Sequence, residues 1–214
     1  MNRYKHIIWD WNGTLFDDTW LCLEIMNSQL ITIGKEPISY EQYQRLFDFP
    51  VRDFYEKIGF DFSEESYESV AQNFIREYTQ RRFECTLHFG VKAILQKFCN
   101  SGCDHAVLSA YAEDELIIML EHYQVRSFFT HVIGLNNHYA CGKVEEGRVL
   151  LERMGASPDD VVLIGDTVHD YKVAKELEID AILVGNGHNS ELKLSGCDAP
   201  LVRSLSEAML IIVE

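Results

Sequence analysis

Short apolar runs alternate with amphipathic stretches over most of the chain. Five runs rich in β-branched or other apolar residues are bounded by Gly, Asp, Asn or Ser: His6–Trp9, His105–Leu108, Val132–Leu135, Val161–Ile164 and Ala181–Val184. Such runs predict buried strands. Helical patterns follow most of them: Val91–Phe98, Glu113–Tyr123 and Lys143–Met154. Strands that alternate with helices predict an α/β fold built on a doubly wound parallel sheet.

Residues 17–84 interrupt this alternation. The segment shows no convincing strand pattern but has four amphipathic stretches: Trp20–Ile33, Tyr40–Phe47, Val51–Ile58 and Glu65–Phe83. We therefore predict a helical domain at 17–84, inserted into a Rossmann-like core formed by 1–16 and 85–214. The insert is rich in aromatic residues, which we interpret as its own hydrophobic core: Tyr43, Phe47, Phe49, Phe54, Tyr55, Phe60, Phe62, Tyr67, Phe74 and Tyr78.

Composition narrows the class of partner. The net charge of −15 over 214 residues argues against nucleic acid, which clustered Lys and Arg bind, but is compatible with a small phosphate compound. The sequence has no signal segment and no apolar stretch near the roughly 20 residues of a membrane helix. Its six cysteines lack a Cys-x-x-Cys pair, as expected of reduced thiols. We expect a cytoplasmic protein, a monomer or homodimer, without membrane association.

Polar residues stand where the predicted strands end. Asp10 follows the first run and Ser109 the second, Lys143 opens a helix after Cys141-Gly142, and Asp166 and Asp170 follow Val161–Ile164. The carboxyl ends of parallel strands share one edge of a sheet, where open α/β sheets bind ligands. Three carboxylates there would repel one another unless a cation lay between them, and oxygen ligands suit Mg²⁺. Asp166 alone also fits a plain helix cap.

The same edge offers groups for a phosphate. Ser109 has a hydroxyl, and Lys143 is a compact cation suited to a phosphoryl oxygen. We also expect backbone N–H groups around residues 11–13 to face the pocket, as in other turn-built anion sites. Taken singly, Ser109 fits an ordinary turn and Lys143 a surface charge, so the interpretation depends on their order along the chain.

That order resembles a known family. Asp-x-x-Gly-Thr-Leu at 10–15, Ser109 after an apolar strand, Lys143, and Gly-Asp-x-x-x-Asp at 165–170 are similar to the four motifs of the haloacid dehalogenase superfamily. The resemblance spans nearly the whole chain, and the helical insert stands where that family has its cap domain. The nearest subgroup is the phosphoglycolate phosphatase-like hydrolases.

The resemblance implies a mechanism and a set of site residues. Asp10 would attack phosphorus and form an aspartyl-phosphate that water hydrolyses. Mg²⁺ would be held by Asp10, the backbone carbonyl of Asn12 and Asp166, with Asp170 supporting the metal's water shell or Lys143. The implied catalytic residues are Asp10, Asn12, Ser109 and Lys143, and the substrate-binding residues are Trp11, Gly13, Ser109, Ala110, Lys143 and, from the cap, Arg52. Arg45 and Lys57 are further candidate cap cations for an anionic leaving group.

Asn12 departs from the family pattern. Most family phosphatases have Asp at this position, where it protonates the leaving alkoxide and then activates water. An amide has no transferable proton, and general acid–base assistance is typically worth about 10²–10⁴-fold. Three interpretations remain: the leaving group is good enough to need no acid, another group such as His169 substitutes, or catalysis is slow or absent. A substitution introduced to trap a complex would look the same.

The leading hypothesis is a Mg²⁺-dependent phosphatase of a small phosphorylated metabolite, phosphoglycolate-like by resemblance. A phosphonatase also lacks the second acid but needs a cap lysine for a Schiff base, either Lys35 or Lys57. Dehalogenation would leave the metal-site acids without a purpose. The contrasting class is a non-catalytic protein that keeps the metal and phosphate pocket, and Asn12 favours it.

Overall fold

The computed structural model describes residues 3–135 and 143–212. The sheet-forming part contains β1 (His6–Trp9), β2 (Phe16–Asp17), β3 (Thr86–Leu87), β4 (Asp104–Ala112), β5 (His131–Leu135), β6 (Val161–Gly165), β7 (Asp180–Val184) and β8 (Leu201–Val202). Four helices precede β3: α1 (Thr19–Thr32), α2 (Tyr40–Leu46), α3 (Val51–Ile58) and α4 (Tyr67–Arg81). Within the described residues, six helices follow β3: α5 (Val91–Asn100), α6 (Glu113–His122), α7 (Lys143–Met154), α8 (Val168–Glu176), α9 (Glu191–Leu194) and α10 (Leu205–Ile212).

The main sheet is parallel, with strand order β5-β4-β1-β6-β7-β8. The chain starts in the middle, at β1, builds outward through β4 and β5, and then returns to the other side of β1 with β6. Ligands of such doubly wound sheets bind where the strand order reverses, at the carboxyl ends of the central strands. The α/β fold is confirmed, and the reversal lies between β1 and β6.

Successive residues of each central strand face different cores. Ile7 and Trp9 belong to one buried cluster with Leu95 and Phe98 of α5, whereas Ile8 belongs to a second cluster with Leu150 of α7. Strand side chains alternate between the two faces of a sheet. Because both faces are covered, most positions of the central strands are apolar, which explains the continuous runs in the sequence.

Between β2 and β3 the described structure is helical. We call the segment 18–85, which contains α1 to α4, the cap. The ends of this segment meet as an antiparallel ribbon, in which Phe16 pairs with Leu87 and Asp17 with Thr86. Local signals begin and end the cap helices: Ser39 forms a capping box with Gln42 at the start of α2, and Gly59, at φ 113°, follows α3 in the left-handed region. None of the described helices combines the length and apolar character that crossing a bilayer requires.

Candidate active site

Three buried carboxylates meet at the point where the strand order reverses. Asp10 follows β1, Asp166 follows β6, and Asp170 lies in the first turn of α8. One oxygen of each lies within 4.8 Å of the others, and all three residues are buried. Parallel strands therefore bring together the acids that are 156 and four residues apart in sequence (10 to 166, and 166 to 170). The expected cluster is present in the fold.

Lys143 is the cation of this cluster. Its Nζ donates to Asp10 Oδ1 and to Asp170 Oδ1, both at 2.6 Å. Burial alone would lower the pKa of Lys143, but the two carboxylates raise it above its ordinary value, so the side chain is an ammonium ion. Asp170 also accepts from the Thr167 backbone N–H at 3.0 Å and hydroxyl at 2.6 Å. Lys143 and these donors outweigh burial and lower the pKa of Asp170.

Ionisation of all three carboxylates would give the cluster an excess of negative charge. Burial, followed by repulsion from Asp170 and Asp166, raises the pKa of Asp10 to about 8 against the opposing effect of Lys143. Burial also raises the pKa of Asp166. One buried ammonium cannot balance three carboxylates, so Asp10 is fully ionised at neutral pH only when further positive charge is close. This is the electrostatic condition of a divalent cation site.

Hydrogen bonds and glycines fix the orientation of Asp166. Its Oδ1 accepts from the Thr14 hydroxyl at 2.8 Å, and its Oδ2 accepts from the His188 backbone N–H at 2.6 Å. Gly13, at φ 75°, and Gly187 pack directly on this carboxylate: a Cβ at either position would lie 2.4 Å or 2.1 Å from Asp166 Oδ2. Only glycine lets these two backbone segments approach the acid so closely.

Only some of the residues expected to bind phosphate lie at the cavity. Ser109 and Ala110 line the cavity beside Asp10 and Lys143. The Gly13 N–H is wrongly assigned, because it donates inside the protein, to Phe16 O at 2.8 Å and Asp18 Oδ1 at 3.0 Å. The Trp11 side chain is fully buried and stacks on Phe16 at a ring distance of 5.2 Å. Its indole therefore serves the core.

Asn12 belongs to a buried network that the sequence did not reveal. Its Nδ2 donates to Asp18 Oδ2 at 2.7 Å and to the Tyr78 hydroxyl at 2.8 Å, and that hydroxyl donates to the same Asp18 oxygen at 2.6 Å. A carboxylate only accepts hydrogen bonds, so the amide nitrogen must face Asp18. Both protons of the side-chain amide are thus in use, and of that amide only the oxygen Oδ1 is left to face the cavity.

His188 completes this network. Its Nε2 lies 3.6 Å from Asp18 Oδ1, and its Nδ1 lies 2.9 Å from the Tyr43 hydroxyl. Burial would lower the pKa of His188, but Asp18 raises it to about 9. Burial would raise the pKa of Asp18, but contacts with His188, Tyr78 and Asn12 lower it. Asp18 and His188 thus form a buried ion pair beside the acid cluster. Cys22 lies within reach of both, but burial raises its thiol pKa well above the ordinary value, so its protonated thiol packs against the pair.

One signal would have pointed to His188. Gly185 and Gly187 follow the apolar run Ala181–Val184, which repeats the pattern of a strand followed by a glycine turn seen at Asp10 and Asp166. Asp18 and Tyr78 carry no such signal.

The ion pair predicts a pH dependence of stability. The folded pKa of His188 is raised above 6.5 to about 9, so its contribution is complete below about pH 6.5 and is lost as the pH rises toward 9. Relative to His188→Gln, the free energy of unfolding of the parent should fall by on the order of 2 kcal/mol over this range. Urea unfolding of both proteins in EDTA at pH 6.5, 7.5 and 9 measures this effect. The titration of Asp10 is common to both proteins, so it cancels when the free energy of unfolding of the variant is subtracted from that of the parent. Equal pH slopes in both proteins would contradict the assignment.

The cap cations do not reach the site. The expectation for Arg52 is corrected, because its side chain is 54% exposed and lies 3.2 Å from Glu56 on the outer surface of α3. Arg45 and Lys57 are also exposed, and none of the three lines the cavity. Helix periodicity identified a polar face but not the direction in which that face points.

His169 is not an acid at neutral pH. It lines the cavity and lies on Phe49 with ring centres 4.5 Å apart. Burial, reinforced by Lys143, lowers the pKa of His169 below its ordinary value. A neutral imidazole has no proton of the required acidity for a leaving group, so the proposed substitution for the missing acid finds no support here.

The aromatic residues of the cap serve two purposes. Phe54, Phe60 and Phe62 pack in a hydrophobic cluster that also includes Ile7 and Trp9 of β1. The expectation of a core belonging to the insert alone is therefore corrected, because these rings share one core with a face of the sheet. The other seven line the cavity above Asp10: Tyr43, Phe47, Phe49, Tyr55, Tyr67, Phe74 and Tyr78.

Comparison with known proteins finds a matching family and several relatives. Residues 7–184 match the family model of the haloacid dehalogenase-like hydrolases. The phosphoglycolate phosphatase of Synechococcus elongatus is 23% identical over 208 residues, which cover 95% of this chain and 94% of that protein. The tyrosine-protein kinase PtkA of Mycobacterium tuberculosis is 24% identical over 184 residues, which cover 85% of this chain and 62% of PtkA.

Solved structures share the fold over nearly the whole chain. The PtkA structure superposes with a TM-score of 0.82 at 21% identity, covering 98% of each chain. A haloacid dehalogenase-like family hydrolase of Streptococcus pneumoniae superposes with a TM-score of 0.75 at 16% identity, covering 98% of this chain and 99% of the other.

Proposed function

The chain belongs to the haloacid dehalogenase-like hydrolase family, and from that premise we propose that it is a Mg²⁺-dependent phosphatase of small phosphomonoesters. One observation carries the proposal: Asp10, Asp166 and Asp170 are buried within 4.8 Å of one another, and Lys143 contacts two of them. A buried nucleophile, hard oxygen ligands and a fixed ammonium are the parts that phosphoryl transfer needs, because this chemistry depends on positioning and charge.

The donor set fits Mg²⁺. Asp10 and Asp166 offer carboxylate oxygens, Asn12 offers its backbone carbonyl, and Asp170 would support the metal's water shell through its position beside Lys143. Oxygen-only ligands with retained waters are typical of Mg²⁺ sites. When bound, the ion neutralises charge that develops on the phosphoryl oxygens. Its positive charge would also lower the pKa of Asp10 and keep the nucleophile ionised.

In the proposed reaction, Asp10 attacks phosphorus in line. The bond from Asp10 to phosphorus forms as the bond to the leaving oxygen breaks, and that oxygen keeps the electron pair. Lys143 and Ser109 hold the phosphoryl oxygens. Water then attacks the aspartyl-phosphate, releases inorganic phosphate and restores Asp10.

Phosphoglycolate belongs in the substrate screen, because the Synechococcus relative whose match covers 95% of this chain is a phosphoglycolate phosphatase. A phosphonatase finds no support, since Lys35 and Lys57 are both exposed and do not line the cavity. A non-catalytic phosphate-binding protein is the second candidate, favoured by Asn12. A screen of phosphomonoesters with Mg²⁺ separates it from the enzyme, because it predicts binding of phosphate without release of product.

Removal of Mg²⁺ should abolish turnover and lower stability. Phosphate release should stop in EDTA and return on addition of Mg²⁺. The ion should also stabilise the parent by about 2.7 kcal/mol when its free concentration is about 100 times its dissociation constant. Asp166→Asn should lose this stabilisation, because it removes a charged ligand from the cluster.

Thermal unfolding with and without Mg²⁺ measures the shift independently of activity. Asp53→Asn is the matched control, because Asp53 is an exposed acid of α3, and it should shift as the parent does. An undiminished Mg²⁺ shift in Asp166→Asn would contradict the assignment of the site.

A further inference from the structure

The cavity above Asp10 has an apolar roof. It has a volume of about 260 Å³, near the small end of ligand pockets, which run from about 300 Å³ upward. One face of α4 supplies much of its wall, at helical spacing: Tyr67, Ala71, Phe74, Ile75 and Tyr78. Met26 of α1 and Phe47 and Phe49, after α2, add further apolar surface. A leaving group attached to a phosphate on Lys143 would meet this surface.

No described Lys or Arg is available to an anionic leaving group. Lys143 is the one Lys or Arg among the residues that line the cavity, and it already contacts Asp10 and Asp170. Arg82 is buried, but its guanidinium donates to the Tyr111 hydroxyl and contacts Glu115. Burying a carboxylate without a partner costs several kcal/mol. The cavity thus disfavours a substrate such as phosphoglycolate.

His188 does not change this balance. It is a second positive group on the cavity wall, but its two ring nitrogens face Asp18 and the Tyr43 hydroxyl. The remaining charged residues on the wall are acidic: Asp10, Asp18, Glu115 and Asp170. A negative charge on the leaving group would be repelled.

The proton supply points the same way. Asn12 has no transferable proton, and both of its N–H groups are used by Asp18 and Tyr78. The Tyr78 hydroxyl in turn donates to Asp18. A leaving oxygen beside this network departs without protonation. That is tolerable for a phenol, whose pKa is about 10, and costly for an alkanol, whose acidity is near that of water, about 15.7.

We propose that the substrate is an aryl phosphate, a phosphomonoester of a small uncharged phenol whose ring lies against Phe74, Ile75 and Tyr78. The inference rests on the proposed phosphatase function and names its substrate class. Asp10 forms the bond to phosphorus, the bond from phosphorus to the phenolic oxygen breaks, and the phenolate leaves with the electron pair. Water later supplies the proton to the phenolate and the oxygen to the phosphate.

Steady-state kinetics with Mg²⁺ test the substrate class. We expect kcat/KM for phenyl phosphate and 2-naphthyl phosphate to exceed that for phosphoglycolate and glycerol 3-phosphate by about 10²-fold or more, the range that general acid assistance would supply. In a series of substituted phenyl phosphates, kcat should rise steeply as the pKa of the phenol falls, because no acid offsets the developing charge.

A variant pair tests the ring-binding wall. Phe74→Leu should raise KM for phenyl phosphate roughly three- to tenfold, the range for loss of an aromatic contact, with a smaller change for glycerol 3-phosphate. Phe83→Leu is the matched control, because Phe83 is a cap-end aromatic that is 45% exposed and lies outside the cavity. Equal KM changes for both substrates in Phe74→Leu would contradict the ring assignment.

A binding arm separates this inference from the proposed function. Calorimetry with Mg²⁺ compares benzylphosphonate with 3-phosphonopropionate, which replace the bridging oxygen of phenyl phosphate and phosphoglycolate by a methylene group. Tighter binding of benzylphosphonate than of 3-phosphonopropionate supports the apolar site, whatever the result of the phosphatase screen. Failure of all substrates in that screen overturns the proposed function but not the apolar site. Higher kcat/KM for phosphoglycolate, or tighter binding of 3-phosphonopropionate, overturns the inference and leaves the phosphatase standing.

Discussion

Asp10→Asn should abolish turnover and leave the protein folded. The amide cannot form the aspartyl-phosphate, and loss of a catalytic nucleophile costs at least about 10⁴-fold in kcat. Asn is close in shape to a protonated Asp, the form that burial favours in the metal-free protein by raising the pKa of Asp10 to about 8. Lys143 keeps its contact with Asp170 at 2.6 Å. The free energy of unfolding without Mg²⁺ should therefore change by no more than about 1 kcal/mol.

Phosphate release at saturating substrate and urea unfolding in EDTA measure the two effects. Asp159→Asn is the matched control: this acid is exposed, in the turn before β6, at the opposite end of the strand from Asp166. It should behave as the parent in both assays. If Asp10→Asn kept more than a hundredth of the parent's kcat, a water molecule rather than Asp10 would be the nucleophile.

The strands that the sequence predicted are those with two buried faces. β1 and β6 are covered on both sides, so Ile7–Trp9 and Val161–Ile164 are apolar and buried without interruption, and each run stands out. β2, β3 and β8 have two residues each, too few for any periodicity. Their positions are set by the ribbon pairing and by the neighbouring strand.

The site divides in a similar way. Asp10, Asp166 and Asp170 could be placed together because a parallel sheet brings strand ends to one edge. The contacts of Asp18 with Tyr78 and His188 join residues 60 and 170 positions apart (18 to 78, and 18 to 188). Those contacts depend on how the cap packs on the sheet, and no local pattern encodes that arrangement. The same dependence explains why Arg52 was expected in the cavity and lies outside it.

Asn12→Asp should lower the stability of the protein, and not only add a general acid at position 12. The new carboxylate would replace an amide nitrogen that lies 2.7 Å from Asp18 Oδ2, so two acids would share one buried site. One of them must take a proton, and the pair gains a raised pKa. The variant should therefore be less stable than the parent by about 1–3 kcal/mol at pH 8. A raised folded pKa means that this deficit shrinks as the pH falls.

Exchanging the two groups should relieve the conflict. In Asn12→Asp combined with Asp18→Asn, an amide again faces a carboxylate, with donor and acceptor reversed. A double-mutant cycle of urea unfolding at pH 8 should give a coupling free energy of about 1–3 kcal/mol in favour of the exchanged pair. Zero coupling would mean that Asn12 and Asp18 are independent and that the contact does not explain the amide at position 12.

The exchanged pair also isolates the acid from the rest of the site. A carboxyl group at position 12 can protonate a leaving alkoxide, so kcat for glycerol 3-phosphate should rise by about 10²-fold or more over the parent. The rate for 4-nitrophenyl phosphate should change little, since its leaving group needs no proton. Asn12→Asp alone should gain less, because its shared proton is held by Asp18. If the exchanged pair accelerated both substrates equally, Asn12 would limit a step other than departure of the leaving group. Asp18 would then be a structural partner of Asn12, and the contact between them would not explain why the protein has no general acid at position 12.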